Sequence, residues 1–388
     1  MGMASYPASR GLAGLLAAGK VPRLISLAAV LSLVLAACTA TGLPDLMPEV
    51  GGPERSVSLF VVSTRRGEQG AASEAAADVA RLSLQRIGIP QGHATGHVER
   101  PAFGEPDPRS HFVVISRRVL DETSFAMELA AHISGRVGSN RDVLLYVHGF
   151  NTPYDEARFR LAQIADDGRF GGVPVLFTWP SAGSLLDYGA AKESATIARD
   201  PLGRLVRKLA EVPGIGRVHI LAHSMGTWLT MEALRETAIA GSPDLGGKLG
   251  DVVLAAPDID LNVFRQQVAR LDPSHVSVLV AANDRALSLS RRLAGDRPRL
   301  GALDPSNPGD RAALDTLGVK VFDVTPDATG LIGHGTYADA PKIVRMIGSR
   351  IAEPRPQDAK VQAVLGEKPV DSRIIETPLA AVPAATIP

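Results

Sequence analysis

The stretch that most constrains this chain is RVHILAHSMGTWLT, at residues 217–230. Val218, Ile220 and Leu221 form a short apolar run, the segment Ala222, His223, Ser224, Met225, Gly226 interrupts it, and an apolar helical pattern begins at Trp228 and Leu229. Strand, sharp turn and helix in that order lift the serine hydroxyl to the carboxyl edge of a sheet. Residues flanking such a serine must be small, because the turn is strained and the strand and helix backbones approach each other closely. The usual pattern is G-x-S-x-G; here alanine, the least disruptive replacement, stands at the first glycine position. The bare pattern recurs by chance in a chain with 38 glycines, and a structural serine in a tight turn is the alternative to a nucleophile. The strand before it and the helix after it favour the nucleophile.

A chain of 388 residues is long enough for one large α/β domain or two modest ones. Its charge is balanced, 41 basic against 41 acidic residues, and no basic stretch is interleaved with aromatics, so nucleic-acid binding has no electrostatic support. Aromatics make up only 4%, which also disfavours base-stacking platforms. The sole cysteine, Cys38, excludes a disulfide within the chain and any cysteine-based metal cluster.

Arg10, Lys20 and Arg23 precede an apolar run at residues 24–37, and Cys38 follows directly. The run has the length of a signal-peptide core and falls short of the roughly 20 residues a membrane-spanning helix needs. Leu35-Ala36-Ala37-Cys38 resembles the bacterial lipoprotein signal, in which the cysteine becomes the acylated first residue. An ordinary secretory signal or an uncleaved anchor is the alternative. The resemblance implies several acyl chains on Cys38 and hence a firm membrane anchor. Thr39, where an aspartate would signal retention, points to the outer membrane, facing the periplasm of a bacterial cell envelope. Residues 38–55 are rich in Pro and Gly and read as a flexible tether.

Beyond the tether, a domain is expected over residues 56–352. It opens on a strand at 56–63, an amphipathic helix at 74–87, an irregular stretch at 88–109, a strand at 111–116 and a helix at 121–137 capped by Asp121. Strands follow at 142–147, 173–178, 218–221, 252–256, 276–282 and 319–324. Helices alternate with them at 154–167, 190–211, 225–240, 261–271 and 284–293, and a last helix is expected near 341–351. Several of the strands are unbroken apolar runs, as in a parallel sheet covered on both faces. The class is therefore α/β, a mostly parallel open sheet with helices on both faces and ligands at the carboxyl ends of the strands. Residues 353–388 lack a sustained period and read as a disordered tail.

A serine so placed resembles the nucleophile of the α/β-hydrolase fold, whose triad runs serine, acid, histidine along the chain. Of nine histidines only His275 and His334 follow Ser224. His275 opens a strand at its amino end, away from the catalytic edge. His334 sits in a loop beyond the strand VKVFDV and is assigned as general base. Two acids end strands at the correct edge: Asp284, the choice because it lies one strand nearer His334, and Asp258, the alternative acid. Asp258 and Asp260 also read as caps of the helix at Leu261. The oxyanion donors are expected to be the backbone N–H groups of Phe150, after the strand VLLYV, and Met225. His148 is expected to pack beneath its loop, and His223 to be structural. Asp187 and Tyr188 are potential substrate contacts. His93 and His97 are too far apart for a metal site, no HExxH pattern occurs, and no Gly-rich phosphate loop follows a strand. Neither a metal nor a cofactor is implied.

With these pieces placed, the chain resembles the uncharacterised bacterial α/β-hydrolase family known as domain of unknown function nine hundred. The motifs that carry the likeness are HGFN at His148, FTWPS at Phe177, LAHSMG at Leu221, AAPDID at Ala255, NDRALSLS at Asn283 and GHGTY at Gly333. The resemblance implies Ser224, Asp284 and His334 as triad with Phe150 and Met225 as oxyanion hole, and it implies no natural substrate. Two functions are expected: a lipid-anchored serine hydrolase acting on small-molecule or lipid carboxylic esters through an acyl-enzyme, or a binding or assembly lipoprotein that keeps the fold without chemistry.

Overall fold

The computed structural model describes residues 53, 55–66, 73–181, 187–328, 330 and 333–352. The expected signal peptide at 1–37, Cys38, nearly all of the tether and the tail at 353–388 lie outside the described residues. In chain order the strands are β1 (Arg55–Arg66), β2 (Ser73–Ile89), β3 (Val113–Leu120), β4 (Val143–Val147), β5 (Val173–Thr178), β6 (Val218–His223), β7 (Leu249–Ala255), β8 (Val276–Val280) and β9 (Lys320–Asp323). They form one sheet in the order β3-β2-β1-β5-β4-β6-β7-β8-β9, parallel from β1 to β9 and antiparallel at the β3-β2-β1 edge. Strands β4, β5 and β8 are buried at every position, the polar Thr178 and Ser277 included, as strands covered on both faces must be.

The helices are α1 (Glu122–Ile133), α2 (Tyr154–Asp167), α3 (Tyr188–Glu211), α4 (Met225–Ile239), α5 (Leu261–Val268), α6 (Arg285–Leu293), α7 (Pro308–Asp315), α8 (Thr336–Asp339) and α9 (Pro341–Ala352). Alternation along β4 divides the core in two. Val143, Leu145 and Val147 pack with Phe125 and Leu129 of α1, Leu202 of α3 and Leu229 of α4. Leu144 and Tyr146 face the other way, onto Leu161 of α2 and Ile343 and Ile347 of α9. Each large apolar side chain buried in this way contributes roughly 1.5–3 kcal/mol. Among the described residues no helix is long and apolar enough to cross a membrane.

Residues 74–87, expected as a helix, lie within β2. The Ala-rich start of the segment favours helix, but intrinsic propensity is weak, and the ladder with β1, running from Arg55↔Ile89 to Ser63↔Arg81, overrides it. Burial there has a period of two: Ile87 and Ile89 join one core cluster while Leu82 and Leu84 pack against the other. β3 starts later and runs further than expected, because Arg117 to Leu120 continue the pairing with β2. By contrast, α1 opens on Asp121, whose Oδ1 accepts from Ser124 N at 2.7 Å, and α2 coincides with the predicted span.

The parallel register Val147↔Ala222, Ala222↔Leu254 and Ala255↔Leu279 brings the carboxyl ends of β4, β6, β7 and β8 to one rim. His275 lies at the opposite rim, with Nδ1 2.9 Å from Gly250 O, as expected from its place before β8.

Candidate functional site

Ser224 links β6 to α4 with φ 52° and ψ −125°, a conformation that a non-glycine residue adopts only where its surroundings enforce it. Its N–H donates to Ala255 O at 3.0 Å, and its carbonyl accepts from Thr227 N at 3.0 Å. The small neighbours are required by contact. A Cβ on Gly226 would lie 2.3 Å from His148 O and 2.7 Å from Val147 O, so helix α4 starts directly against the end of β4. Ala222 is fully buried. Met225 is the first residue of α4, where a backbone N–H has no partner within its own helix. Among the described residues Ser224 Oγ has no hydrogen-bond partner; catalytic hydrogen bonds commonly tighten only around substrate.

At the same rim Asp284, fully buried, caps α6 through Oδ1, which accepts from Leu287 N at 2.9 Å. Its Oδ2 lies 2.6 Å from His334 Nδ1. A carboxylate accepts only, so Nδ1 carries the hydrogen and Nε2 is left as the basic nitrogen. The imidazole is one-fifth exposed while its carboxylate is sealed from solvent. Asp258, the other acid considered, is committed elsewhere. Its Oδ1 accepts from Ser290 Oγ at 2.6 Å and lies 3.2 Å from the buried Arg299 guanidinium, and its Oδ2 accepts from Tyr188 OH at 2.8 Å. Of the two acids, the structure brings Asp284 and not Asp258 to His334. Tyr188, considered as a substrate contact, spends its hydroxyl hydrogen on Asp258, and burial together with that carboxylate raises its pKa.

The loop of Phe150 passes over Ser224. A Cβ on Gly149 would lie 2.8 Å from Ser224 Cβ and 3.0 Å from His223 Nδ1. Asn151, with φ 51°, donates its N–H to Ser181 O at 2.6 Å. His148 is buried beneath this loop and holds it: Trp179 N donates to His148 Nε2 at 3.2 Å, Trp179 Nε1 donates to His148 O at 3.0 Å, and the two rings stack at 5.6 Å. Burial, reinforced by the nearby Arg65 charge, lowers the His148 pKa to about 3, so it stands neutral with Nε2 as acceptor.

Sequence reasoning gave no role to Arg65. It is buried at the end of β1, and its Nε donates to Thr178 Oγ1 at 2.9 Å and Nη2 to Thr152 O at 2.6 Å, fixing the base of the same loop. His223 was expected to be structural, and its ring lies between two others, 4.6 Å from His334 and 4.4 Å from Tyr337. Its Nε2 is 3.0 Å from His334 O, an acceptor, so Nε2 carries the hydrogen. Burial and then the charge of His334 hold its pKa well below 6.5. Through His223, which touches both Gly149 and His334, the serine turn and the histidine loop share one neighbour.

Away from this rim, atoms of His93, Asp166 and Asp167 come within 4.8 Å of one another, close enough to share an ion. Both ring nitrogens are already engaged, Nδ1 with Glu99 Oε2 at 2.8 Å and Nε2 with Asp167 Oδ1 at 3.1 Å. Burial lowers the His93 pKa, but the hydrogen bonds to Asp167 and Glu99 outweigh it and leave it raised. An imidazolium donating on both sides has no lone pair for a metal. His97 makes its backbone bond to Ala94 and does not join the cluster.

A family model described as "Alpha/beta hydrolase of unknown function (DUF900)" matches residues 121–350. Among solved structures, the chain is similar to a predicted CIB-like hydrolase from Thermoplasma acidophilum, with 16% identity and a TM-score of 0.32 over 56% of this chain and 89% of that one. It is also similar to lipase B of Aspergillus fumigatus, with 12% identity and a TM-score of 0.36 over 64% and 62% of the two chains. Similarity of this extent speaks to neither substrate nor mechanism. No curated protein matches the chain.

Proposed function

Since the chain belongs to the α/β-hydrolase family of unknown function (DUF900), we propose that it is a serine hydrolase that cleaves carboxylic esters through an acyl-enzyme on Ser224. The observation that carries this reading is the 2.6 Å pair of His334 Nδ1 and Asp284 Oδ2 at the rim where Ser224 sits in its strained turn. Ser224 Oγ bonds to the acyl carbon as the ester C–O bond breaks, and its proton passes through His334 Nε2 to the departing alcohol. A water deprotonated by the same imidazole then releases the acid and restores the serine. Asp284 holds the tautomer and stabilises the imidazolium, while the N–H groups of Phe150 and Met225 receive the developing oxyanion. No step needs a metal or cofactor.

The signal-like run before Cys38 supports an acylated cysteine and a globular domain held at the periplasmic face of a bacterial outer membrane. Cys38→Ser should move the protein from the membrane to the soluble fraction. Turnover of short p-nitrophenyl esters tests the chemistry, with Ser224→Ala as control; equal rates for the two proteins refute it. A folded protein that a fluorophosphonate leaves unlabelled at Ser224 would instead be a binding or assembly lipoprotein.

A further inference from the structure

Near Ser224 one cation has, among the described residues, no carboxylate within ion-pair distance. Lys192 stands four residues after Tyr188 on α3, so the two side chains leave the same helix face. Tyr188 turns that face toward Ser224 and its loop: its ring meets Phe150 edge-on at 5.9 Å, and its hydroxyl reaches Asp258, whose N–H donates to Ser224 O at 3.3 Å. Lys192 Nζ lies 4.2 Å from the centroid of the Trp228 ring, and Trp228 stands four residues after Ser224, one turn along α4. An ammonium laid over an indole therefore stands at the residue one helical turn from Ser224.

Among the described residues no carboxylate pairs with this ammonium and no acceptor hydrogen-bonds it. Asp258 is neutralised by the buried Arg299, and Glu232 accepts from Gln267 Nε2 at 2.7 Å on the side of α5. Burial lowers the lysine's pKa to about 8, which leaves it charged at neutral pH. An indole face steadies a cation without cancelling its charge. A half-buried cation that its nearest carboxylates, Asp258 and Glu232, act on only from beyond ion-pair distance favours an anion brought from outside. With a single ammonium to offer, and with the Tyr188 hydroxyl already spent, the site matches one negative charge better than the two of a phosphate.

We propose that Lys192, laid over Trp228, binds a carboxylate on the substrate, so that the natural esters of this enzyme are singly charged acids as well as esters. This rests on the serine-hydrolase reading above. The test uses the full-length chain in detergent and two pairs of aryl esters. Members of a pair differ only in a terminal carboxylate or its primary amide, on the acyl side in one pair and on the alcohol side in the other. In at least one pair the carboxylate member should show a kcat/KM about ten- to a hundredfold higher, as expected for one charge-assisted hydrogen bond, expressed mainly in KM. Lys192→Met should bring that ratio to about one, and Lys192→Arg should keep part of it. No preference in either pair, or a preference that survives Lys192→Met, overturns the proposal. A second readout is independent of turnover: butyrate, and not butyramide, should alter the tryptophan fluorescence of the Ser224→Ala chain, and Lys192→Met should abolish the response. Butyrate binding without hydrolysis of any ester refutes the serine-hydrolase reading and leaves the carboxylate site standing; hydrolysis without charge preference or butyrate binding does the reverse.

Discussion

Replacing Gly149 with alanine adds one carbon where the loop crosses Ser224. The new Cβ would sit 2.8 Å from Ser224 Cβ, 3.0 Å from His223 Nδ1 and 3.1 Å from His223 O. Carbon atoms at rest keep about 3.5–4.0 Å, so roughly 0.7–1.2 Å must be surrendered. The His223 carbonyl is main chain and yields little, and Gly149 lies outside the left-handed region, so alanine carries no backbone penalty of its own. The displacement therefore falls on the Ser224 side chain or on the loop bearing the Phe150 N–H. A misplacement of about 1 Å in a reacting group costs on the order of a hundredfold in rate. Gly149→Ala should lower kcat/KM on p-nitrophenyl butyrate by about that factor. Overpacking of about 1–3 kcal/mol should lower the melting temperature by only several degrees. Gly92→Ala, with nothing within 4 Å of the added carbon, is the control and should match the parent in both assays. A folded Gly149→Ala protein with parental kcat/KM would refute the claim that the loop presses on a reacting Ser224.

The two acids separate by assay. Asp284→Asn should cut kcat by about 10³–10⁴ at unchanged KM, since the imidazole loses its enforced tautomer, whereas Asp258→Asn should appear in urea denaturation as a loss of about 3–5 kcal/mol, because it leaves the Arg299 charge buried alone. Acid should destabilise the fold through His148. Its folded pKa is lowered from 6.5 to about 3, so the unfolded chain binds the extra proton and the stabilisation is lost as pH falls from 6.5 toward 3, by up to about 1.4 kcal/mol per pH unit. His223 acts in the same direction, whereas His93 and His219, with raised pKa values, lose their contribution only as pH rises above 6.5. Urea titrations at pH 7 and pH 5 measure the slope, which His148→Asn should flatten. The preference for carboxylate esters should fade as pH rises through about 8, where Lys192 loses its proton in the field of Asp258, Arg299 and Glu232 with Tyr188 still protonated. A charge preference constant from pH 7 to pH 10 would exclude Lys192 as its source.

What the sequence conveyed was the part ruled by local pattern. The mostly apolar strands β4, β5 and β8 lack period-two alternation because they are covered on both faces, and the turn at Ser224 needs the small residues it has. Chain order narrowed the histidines to His334, and the choice of Asp284 over Asp258 followed from strand position. What remained hidden depends on distant partners. β2 starts in a helix-favouring composition, and only its ladder with β1 makes it a strand. Arg65 reads as a charge at a strand end, yet it is buried because Thr178 and Thr152, more than eighty residues away, await it. The short helix α7 announced itself only through Asn307 and Pro308, a cap and first turn without an apolar period behind them. The hydroxyl contact of Tyr146 with Tyr337, at 2.6 Å, has no local signal.

Asp284 gives one oxygen to the start of α6 and the other to His334. A rotation of the Asp284 carboxylate away from the imidazole would at the same moment uncap the helix, so the carboxylate stays aimed at the ring while the first turn of α6 is wound. The converse holds as well: warming that frays that turn loosens the carboxylate that holds His334 before the sheet yields. Inactivation by heat should thus precede the global melt and be reversible on cooling, with the helix end acting as the thermal fuse of the reaction.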